Sequence, residues 1–315
     1  MRAANWEKSA RICLQAAKFV TGSQLAALHL QIGNCRQMQS RFDDALASFT
    51  ESGRVADVCG DRRIKANSLG SIGLVWQRKG DHAKALVCYE QCIAMLGELG
   101  DRLGQASATT NIGLMRHEEG DLGGALECFN RALNVFVENG DKVGQASALT
   151  NIARVHLGRG ESARAVDQLG KALALARESK ERHSEVTVLG NLANAHMRMG
   201  RLAEAQTEYE TLLKAHQEMG DPDGEARDRM GIGDVLARKG DYAGAAGYFA
   251  QALKAFLKLE IAAGPRKCLP GMRMCLTVMG VKDFSAACEK AKLEPRTVTE
   301  LIKVLKRRLP TSPAR

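Results

Sequence analysis

The sequence predicts an all-α protein, a solenoid in which helix-turn-helix pairs stack one behind another. Glycine recurs at a fixed interval of 40 residues, apolar residues recur in register with it, and aromatic residues make up only 4% of the chain. So few aromatic residues disfavour a β-sandwich or barrel, whose strands are rich in aromatic and β-branched residues. With 315 residues, of which 45% are hydrophobic, the chain is long and apolar enough to bury a core.

A glycine ends each predicted helix. Six glycines follow one another at intervals of 40 residues: Gly80, Gly120, Gly160, Gly200, Gly240 and Gly280. Gly-Asp pairs lie between them, at 60–61, 100–101, 140–141 and 220–221. A glycine about every 20 residues implies two helices in each repeat. Glycine enters the left-handed conformation that ends a helix without a Cβ penalty, and the Asp that follows can cap the next helix.

Each predicted helix carries an apolar stripe, and the stripes match between repeats. In the third repeat, Ala108, Ile112 and Met115 are spaced i, i+4 and i+7, as one face of a helix requires. Small residues form a column in the first helices: Gly33, Gly73, Gly113, Ala153, Ala193 and Gly233. The second helices contain an alanine column and a column of large residues: Phe49, Tyr89, Phe129, Leu169, Tyr209 and Phe249. Small residues let helix backbones approach closely, and the large side chains fill the gaps between neighbouring pairs.

The order of these residues resembles the tetratricopeptide repeat. Within one repeat it runs Ile72-Gly73, Gly80-Asp81, Ala85 and Tyr89, and it recurs six times between Leu25 and Leu259. The resemblance implies a right-handed α-solenoid whose first helices line a concave groove. The 40-residue period resembles the subset that includes the Pins/LGN polarity adaptors.

The resemblance does not extend to the chaperone-binding members of the family. Those domains hold a C-terminal carboxylate with Lys and Asn on successive first helices. The column of the first clamp lysine contains no Lys here: Leu30, Gly70, Thr110, Thr150, Gly190 and Met230. A chaperone peptide is therefore not the expected ligand.

The repeat divides the chain into a regular centre and two atypical ends. Residues 1–22 match a second helix without its first and predict a cap helix, with apolar residues at Trp6, Ile12, Leu14 and Phe19. The chain therefore starts in mid-repeat, either as a natural cap or because it was cut from a longer protein. Residues 23–259 contain the six 40-residue repeats.

The C-terminal end is predicted to contain three segments. Residues 260–293 keep the glycine register but contain two prolines, and we interpret them as a degenerate seventh helix pair. Residues 294–309 predict a basic helix that opens with a capping box at 297–300. Residues 310–315 are expected to form a loose tail.

The formal net charge of +9 is concentrated at the C-terminus. Residues 290–315 carry +6 and leave +3 for the rest of the chain, so the charge is not the footprint of a nucleic-acid-binding domain. No DNA partner is expected. The basic helix either packs on the last repeat through Leu301, Ile302 and Leu305 or contacts an acidic surface, such as tubulin, an anionic lipid or RNA.

The sequence contains no catalytic or metal-binding motif, and we expect a non-enzymatic protein without a metal or cofactor. His117-Glu118-Glu119 lacks the second His of a metalloprotease site. The nine cysteines include no C-x-x-C pair. Small buried thiols in a reducing cytoplasm are the favoured interpretation, and a metal or redox site is the alternative. No apolar run approaches the ~20 residues of a membrane span.

A polar stripe on the first helices is the candidate peptide-binding surface. Its proposed residues are Asn111, Asn151, Asn191, Asn194, Arg154, Arg198, Arg227 and Arg238. Asn is a mediocre helix former, so its repeated use at one helical column needs a reason. One reason is that an amide can accept from a peptide N–H and donate to a peptide C=O. The alternative is that the amides bond the neighbouring repeat and hold the stack.

The arginines predict an acidic or phosphorylated ligand, because guanidinium pairs bidentately with carboxylate and phosphate. The alternative is that these arginines form a solvated face.

The predicted function is a protein–protein interaction adaptor or scaffold that binds an extended or helical partner segment. Two other functions remain open. One is that of a repeat module in a larger signalling protein, which senses a peptide or small ligand. The other is contact with RNA through the basic C-terminus.

Overall fold

The computed structural model of the chain describes residues 2–259, 261 and 264–307, with side chains from residue 6 onward. Within these residues it contains 15 α-helices and no strand, so the all-α prediction is confirmed. The chain divides into two compact units, Met1–Arg159 and Gly160–Arg315, and each is described by itself.

The first unit contains eight helices, and each packs against the next along the chain. Their bounds are α1 Arg2–Ala16, α2 Gly22–Met38, α3 Phe42–Val58, α4 Arg62–Arg78, α5 His82–Glu98, α6 Arg102–Glu118, α7 Leu122–Glu138 and α8 Lys142–Gly158. The first helices of neighbouring pairs also contact one another, α2 with α4, α4 with α6 and α6 with α8. They therefore form a continuous layer within this unit.

The second unit contains the remaining seven described helices. Their bounds are α9 Ser162–Glu178, α10 Arg182–Met199, α11 Leu202–Glu218, α12 Pro222–Lys239, α13 Tyr242–Lys258, α14 Gly264–Lys290 and α15 Pro295–Lys306. Each helix again packs against the next, and α12 also contacts α14. The α14 helix is broken at Gly280, where φ is 79° and ψ is 172°.

The turns follow the predicted Gly-Asp pattern. The glycines that end the helices, from Gly60 to Gly240, have φ between 62° and 87°. In seven repeats of the motif, the Asp that begins a helix accepts a hydrogen bond from the backbone N–H three residues later: Asp61, Asp81, Asp101, Asp121, Asp141, Asp221 and Asp241. Each cap satisfies a backbone donor that the helix leaves unpaired and places a negative charge at the positive end of the helix dipole.

The core depends on rings that lie against bare backbone. A Cβ atom added to Gly33, Gly73, Gly113 or Gly233 would come within 2.4–2.9 Å of a ring carbon on the second helix of the same pair. The four rings are at most 1% exposed: Phe49, Tyr89, Phe129 and Phe249. The alanine column is also fully buried. The close helix approach predicted from these columns is therefore present in both units.

The structure adds to or differs from the sequence analysis in two details at the ends of the chain. Trp6, Ile12, Leu14 and Phe19 are all exposed, and Phe19 lies beyond the end of α1. The buried face of α1 instead presents Ala10 and Cys13, because small side chains allow close contact with α2.

The capping box at 297–300 is the second correction. The last helix begins at Pro295 with Glu294 as its N-cap, and the Thr299 hydroxyl donates to the Pro295 carbonyl. Proline suits the first turn, because its fixed φ is helical and no N–H is needed there. The end of the predicted basic helix beyond residue 307 and the predicted tail at 310–315 lie outside the described residues.

The contact between ring and backbone makes a specific prediction for Gly233. The Phe249 ring lies against Gly233 on one side and Gly271 on the other, where an added Cβ would lie 2.3 Å from a ring carbon. The ring therefore cannot move away from a new methyl group. We expect Gly233→Ala to lower the free energy of unfolding by about 1–3 kcal/mol in urea denaturation.

Gly170→Ala is the matched control, because it lies inside α9 and an added Cβ meets nothing within 4 Å. There the substitution should raise the free energy of unfolding by about 0.5–1 kcal/mol, since alanine loses less backbone entropy in a helix. Equal effects at the two positions would contradict the packing described here.

Candidate binding site

A recess of about 560 Å³ opens in the second unit between α10, α11 and α12. Three of the predicted site residues line it: Asn191, Asn194 and Arg227. Its apolar lining includes Val186, Leu212, Met219 and Met230. The first helices α10 and α12 do not show the side-by-side packing that joins α2 with α4 or α12 with α14. The recess lies between these two helices.

The orientation of Tyr209 accounts for part of this space. Its partner in the small column is Ala193, whereas four other repeats have a glycine at this position, where an added Cβ atom would collide with the ring. Tyr209 remains partly exposed, and its hydroxyl donates to Asn194 Oδ1 at 2.9 Å. The matching Tyr89 is fully buried, and its hydroxyl donates to Gln77, about one turn further along the first helix.

The two amides of the recess each retain hydrogen-bonding capacity. Asn191 is half-buried, and its Nδ2 donates to the Thr187 carbonyl of its own helix at 2.9 Å. Asn194 is exposed and accepts from Tyr209. Among the described residues, Asn191 Oδ1 and Asn194 Nδ2 have no partner, so one acceptor and one donor are available to a ligand.

The amides of the first unit lie in different surroundings. Asn151 is only 8% exposed, and its Oδ1 accepts from Arg154 at 3.4 Å. Asn111 is half-buried and forms no side-chain hydrogen bond with any described residue. The predicted column is therefore not one uniform surface. Within the described part of the chain, the hydrogen bonds of the four amides stay inside their own helix or their own pair.

A sequence-family comparison assigns these repeats. The model of the tetratricopeptide repeat matches residues 24–98, 104–178 and 184–258, which together make up more than half of the chain. The chain belongs to the tetratricopeptide repeat family. A search of curated proteins by sequence gives no match.

Solved structures of other repeat proteins share the fold. The chain is similar to a Rap protein complexed with competence and sporulation factor, at 15% identity and a TM-score of 0.62, over 88% of this chain and 80% of that one. It is similar to the apo quorum sensor NprR from B. thuringiensis, at 14% identity and a TM-score of 0.65, over 95% and 82%.

A third similar structure is a signal transduction ATPase with a tetratricopeptide repeat sensor, from Pyrococcus horikoshii. The identity is 12% and the TM-score is 0.67, over 95% of this chain and 46% of that one. At such identities the likeness shows the fold alone.

The four predicted arginines of the tetratricopeptide repeats differ in their availability. Arg154 contacts Asn151, Arg227 forms an ion pair with Asp223 at 3.2 Å, and Arg238 donates to the Met197 carbonyl at 3.1 Å. Arg198 is exposed and has no partner among the described residues. Because three of the four are already engaged, the structure supports an acidic ligand less strongly than the sequence pattern does.

The recess also contains residues that the sequence analysis did not propose. Asp234, Tyr209, His216 and Asp228 all line it. Asp234 occupies the same helical column as Leu74, Leu114, Arg154 and Asn194, so the acidic residue is visible in the repeat alignment. The alignment does not show that Asp234 lines a recess between α10 and α12.

A buried histidine–carboxylate pair forms one wall of the recess. His216 Nδ1 lies 2.5 Å from Asp228 Oδ2, and the two residues are 8% and 5% exposed. Burial raises the pKa of Asp228, while the contact with His216 opposes this shift. The equivalent positions in other repeats hold uncharged pairs, such as Phe136 with Ala148. The His216 ring lies against Gly224 as the Phe136 ring lies against Gly144.

Other chemistry-bearing groups form no site in the described part of the chain. No group of three or more His, Cys, Asp or Glu side chains there is arranged to hold a metal ion. The nine cysteines, all within the described residues, are free; seven are buried, Cys88 is intermediate and Cys59 is exposed. Burial raises the pKa of Cys268 and of Cys288 to about 12. None of the described helices is both long and apolar enough to cross a membrane.

The buried pair makes a prediction about stability. Asp228→Ala should lower the free energy of unfolding by about 3 kcal/mol, because it leaves the His216 imidazole buried without its partner. The double variant His216→Phe/Asp228→Ala reproduces the Phe136–Ala148 pair and should recover most of this loss. Urea denaturation of the single and double variants measures the difference. A double variant as unstable as Asp228→Ala would show that the site does not accept an apolar pair.

Proposed function

We propose that the chain is a non-enzymatic adaptor that binds a peptide segment of a partner protein in the recess of its second unit. The observation that carries this proposal is the recess itself, about 560 Å³ in volume, lined by two amides with unused hydrogen-bonding capacity. A cleft with an apolar lining and a few polar groups is the usual form of a ligand site.

The recess offers complementary contacts to a peptide. Asn191 Oδ1 can accept from a backbone N–H, and Asn194 Nδ2 can donate to a backbone C=O. The side chains of Val186, Met219 and Met230 can pack against an apolar part of the same segment. Backbone bonds of this kind do not depend on the peptide sequence, so they supply affinity, while the rest of the lining supplies selectivity.

A second candidate is a sensor module that acts within a larger signalling protein. Similar structures include a Rap protein complexed with competence and sporulation factor, a Rap regulator in complex with the Phr* peptide, and a signal transduction ATPase whose repeats form its sensor. These names support peptide recognition by this fold. In that case, the same recess would bind the peptide, and the response would occur elsewhere in the longer protein.

The proposed adaptor function includes three more specific points. The chain would act as a scaffold of the Pins/LGN type, it would be cytoplasmic, and α15 would contact an acidic surface or RNA. In α15, Val298, Leu301 and Leu305 are buried, whereas Lys303 and Lys306 are exposed. Packing therefore accounts for the apolar face, and the basic face is exposed, with Lys303 paired to Glu300 at 2.7 Å.

A selection from a random linear peptide library tests the proposed function without a known partner. The unmodified chain should enrich peptides, and Asn191→Ala/Asn194→Ala should weaken their binding roughly 10-fold, since each lost hydrogen bond contributes about 0.5–1.5 kcal/mol. Fluorescence anisotropy of a labelled peptide measures the affinity. The melting temperature should not fall, because the gain in helix propensity from both changes offsets the loss of the Tyr209 hydrogen bond.

Asn130→Ala is the matched control, since Asn130 is an exposed residue of the second helix α7. It should bind the selected peptides like the unmodified chain. If the double variant loses stability and keeps its affinity, the two amides are structural and the proposal is wrong.

A further inference from the structure

Asp234 is the uncompensated charge of the recess. It lies on α12, its side chain is open to the recess, and it has no hydrogen bond or ion pair with any described residue. Arg238, one turn further along α12, forms no ion pair with it, and its guanidinium donates to the Met197 carbonyl on α10. The surrounding walls displace water and raise the pKa of Asp234, and Arg238 opposes this shift only in part.

The Tyr209 side chain lines the same recess, and its hydroxyl is a second acceptor there. The hydroxyl gives its hydrogen to Asn194 Oδ1, so its oxygen lone pairs remain able to accept. Burial raises the pKa of Tyr209 to about 12, and the negative charge of Asp234 adds to this shift. A ligand group that carries several N–H donors and a positive charge would satisfy both acceptors.

None of the other described charged groups that line the recess forms an ion pair with Asp234. Asp228 is paired with His216, and Arg227 is paired with Asp223. Lys267 lines the recess from α14 and is exposed, as is His183. The Asp234 carboxylate therefore stays unpaired and can accept from a cationic group of a ligand.

The recess also has room for a long side chain. Gly190 of α10 lines it, and a Cβ atom added there would meet nothing within 4 Å. Gly231 of α12 is instead buried under the Tyr209 ring, where an added Cβ atom would lie 2.5 Å from a ring carbon. The open backbone of the recess is therefore that of α10 at Gly190.

We propose that the recess selects its peptide through one Lys or Arg side chain, which enters between α10 and α12 and is bound by the Asp234 carboxylate and the Tyr209 hydroxyl. This inference rests on the proposed function and names the chemistry of the ligand. It is opposite in sign to the acidic ligand that the arginine pattern predicts. A charged pair in a partly dehydrated recess contributes to selectivity, because a peptide without the cation leaves the carboxylate unpaired.

Peptides enriched by the unmodified chain should share a Lys or Arg at one fixed position. Replacing that residue by Ala should lower the affinity of the unmodified chain about 10-fold, and Asp234→Asn should lower the affinity for the original peptide by a similar factor. The two changes should not add, because each removes the same interaction. Asp167→Asn changes an exposed carboxylate on α9 outside the recess, and it should leave the affinity unchanged.

A steric variant separates this inference from the proposed function. Gly190→Leu should fill the recess and abolish peptide binding without loss of stability, while Gly170→Leu on the exposed face of α9 should bind normally. If no peptide is enriched, or if Gly190→Leu still binds, the recess is not the peptide site and the proposed function fails with the inference. If Gly190→Leu blocks binding but Asp234→Asn does not weaken it, or if acidic residues are enriched, the proposed function stands and the cation inference is wrong.

Discussion

The contact between a second-helix ring and the bare backbone of a first helix is the interaction on which the rest of the structure depends. Phe49, Tyr89, Phe129 and Phe249 are all fully buried against glycine positions that have no room for a methyl group. This contact brings the two helices of a pair close together. Because it engages the side of the first helix that faces the second, the polar columns of the first helices remain available for other contacts.

The candidate site lies where this interaction is altered. Ala193 replaces glycine, Tyr209 is only partly buried, and the His216–Asp228 pair stands in place of apolar residues. These changes lie within α10, α11 and α12, where the first helices do not pack side by side. The same repeat thus supplies both the close-packed helix pairs and the helices that border this recess.

Much of the fold could be predicted from the sequence, because it depends on local periodicity. The Gly-Asp turns, the capping carboxylates and the buried alanine column all follow from residues 40 positions apart. The site could be predicted only in part. Asn191, Asn194 and Arg227 line the recess, but the role of Asp234 depends on which cations are already paired and on the distance between two helices. The repeat period encodes neither of these. It also does not encode how α1, which lies outside the six repeats, packs through Ala10 rather than through its larger residues.

Methyl NMR of methionine-labelled protein tests the location of the binding surface most directly. Met219 and Met230 line the recess, whereas Met95 and Met115 lie in α5 and α6 of the first unit. On addition of an enriched peptide, the account predicts that the methyl resonances of Met219 and Met230 shift and that those of Met95 and Met115 stay in place. Shifts confined to Met95 and Met115 would place the peptide in the other unit and contradict the account.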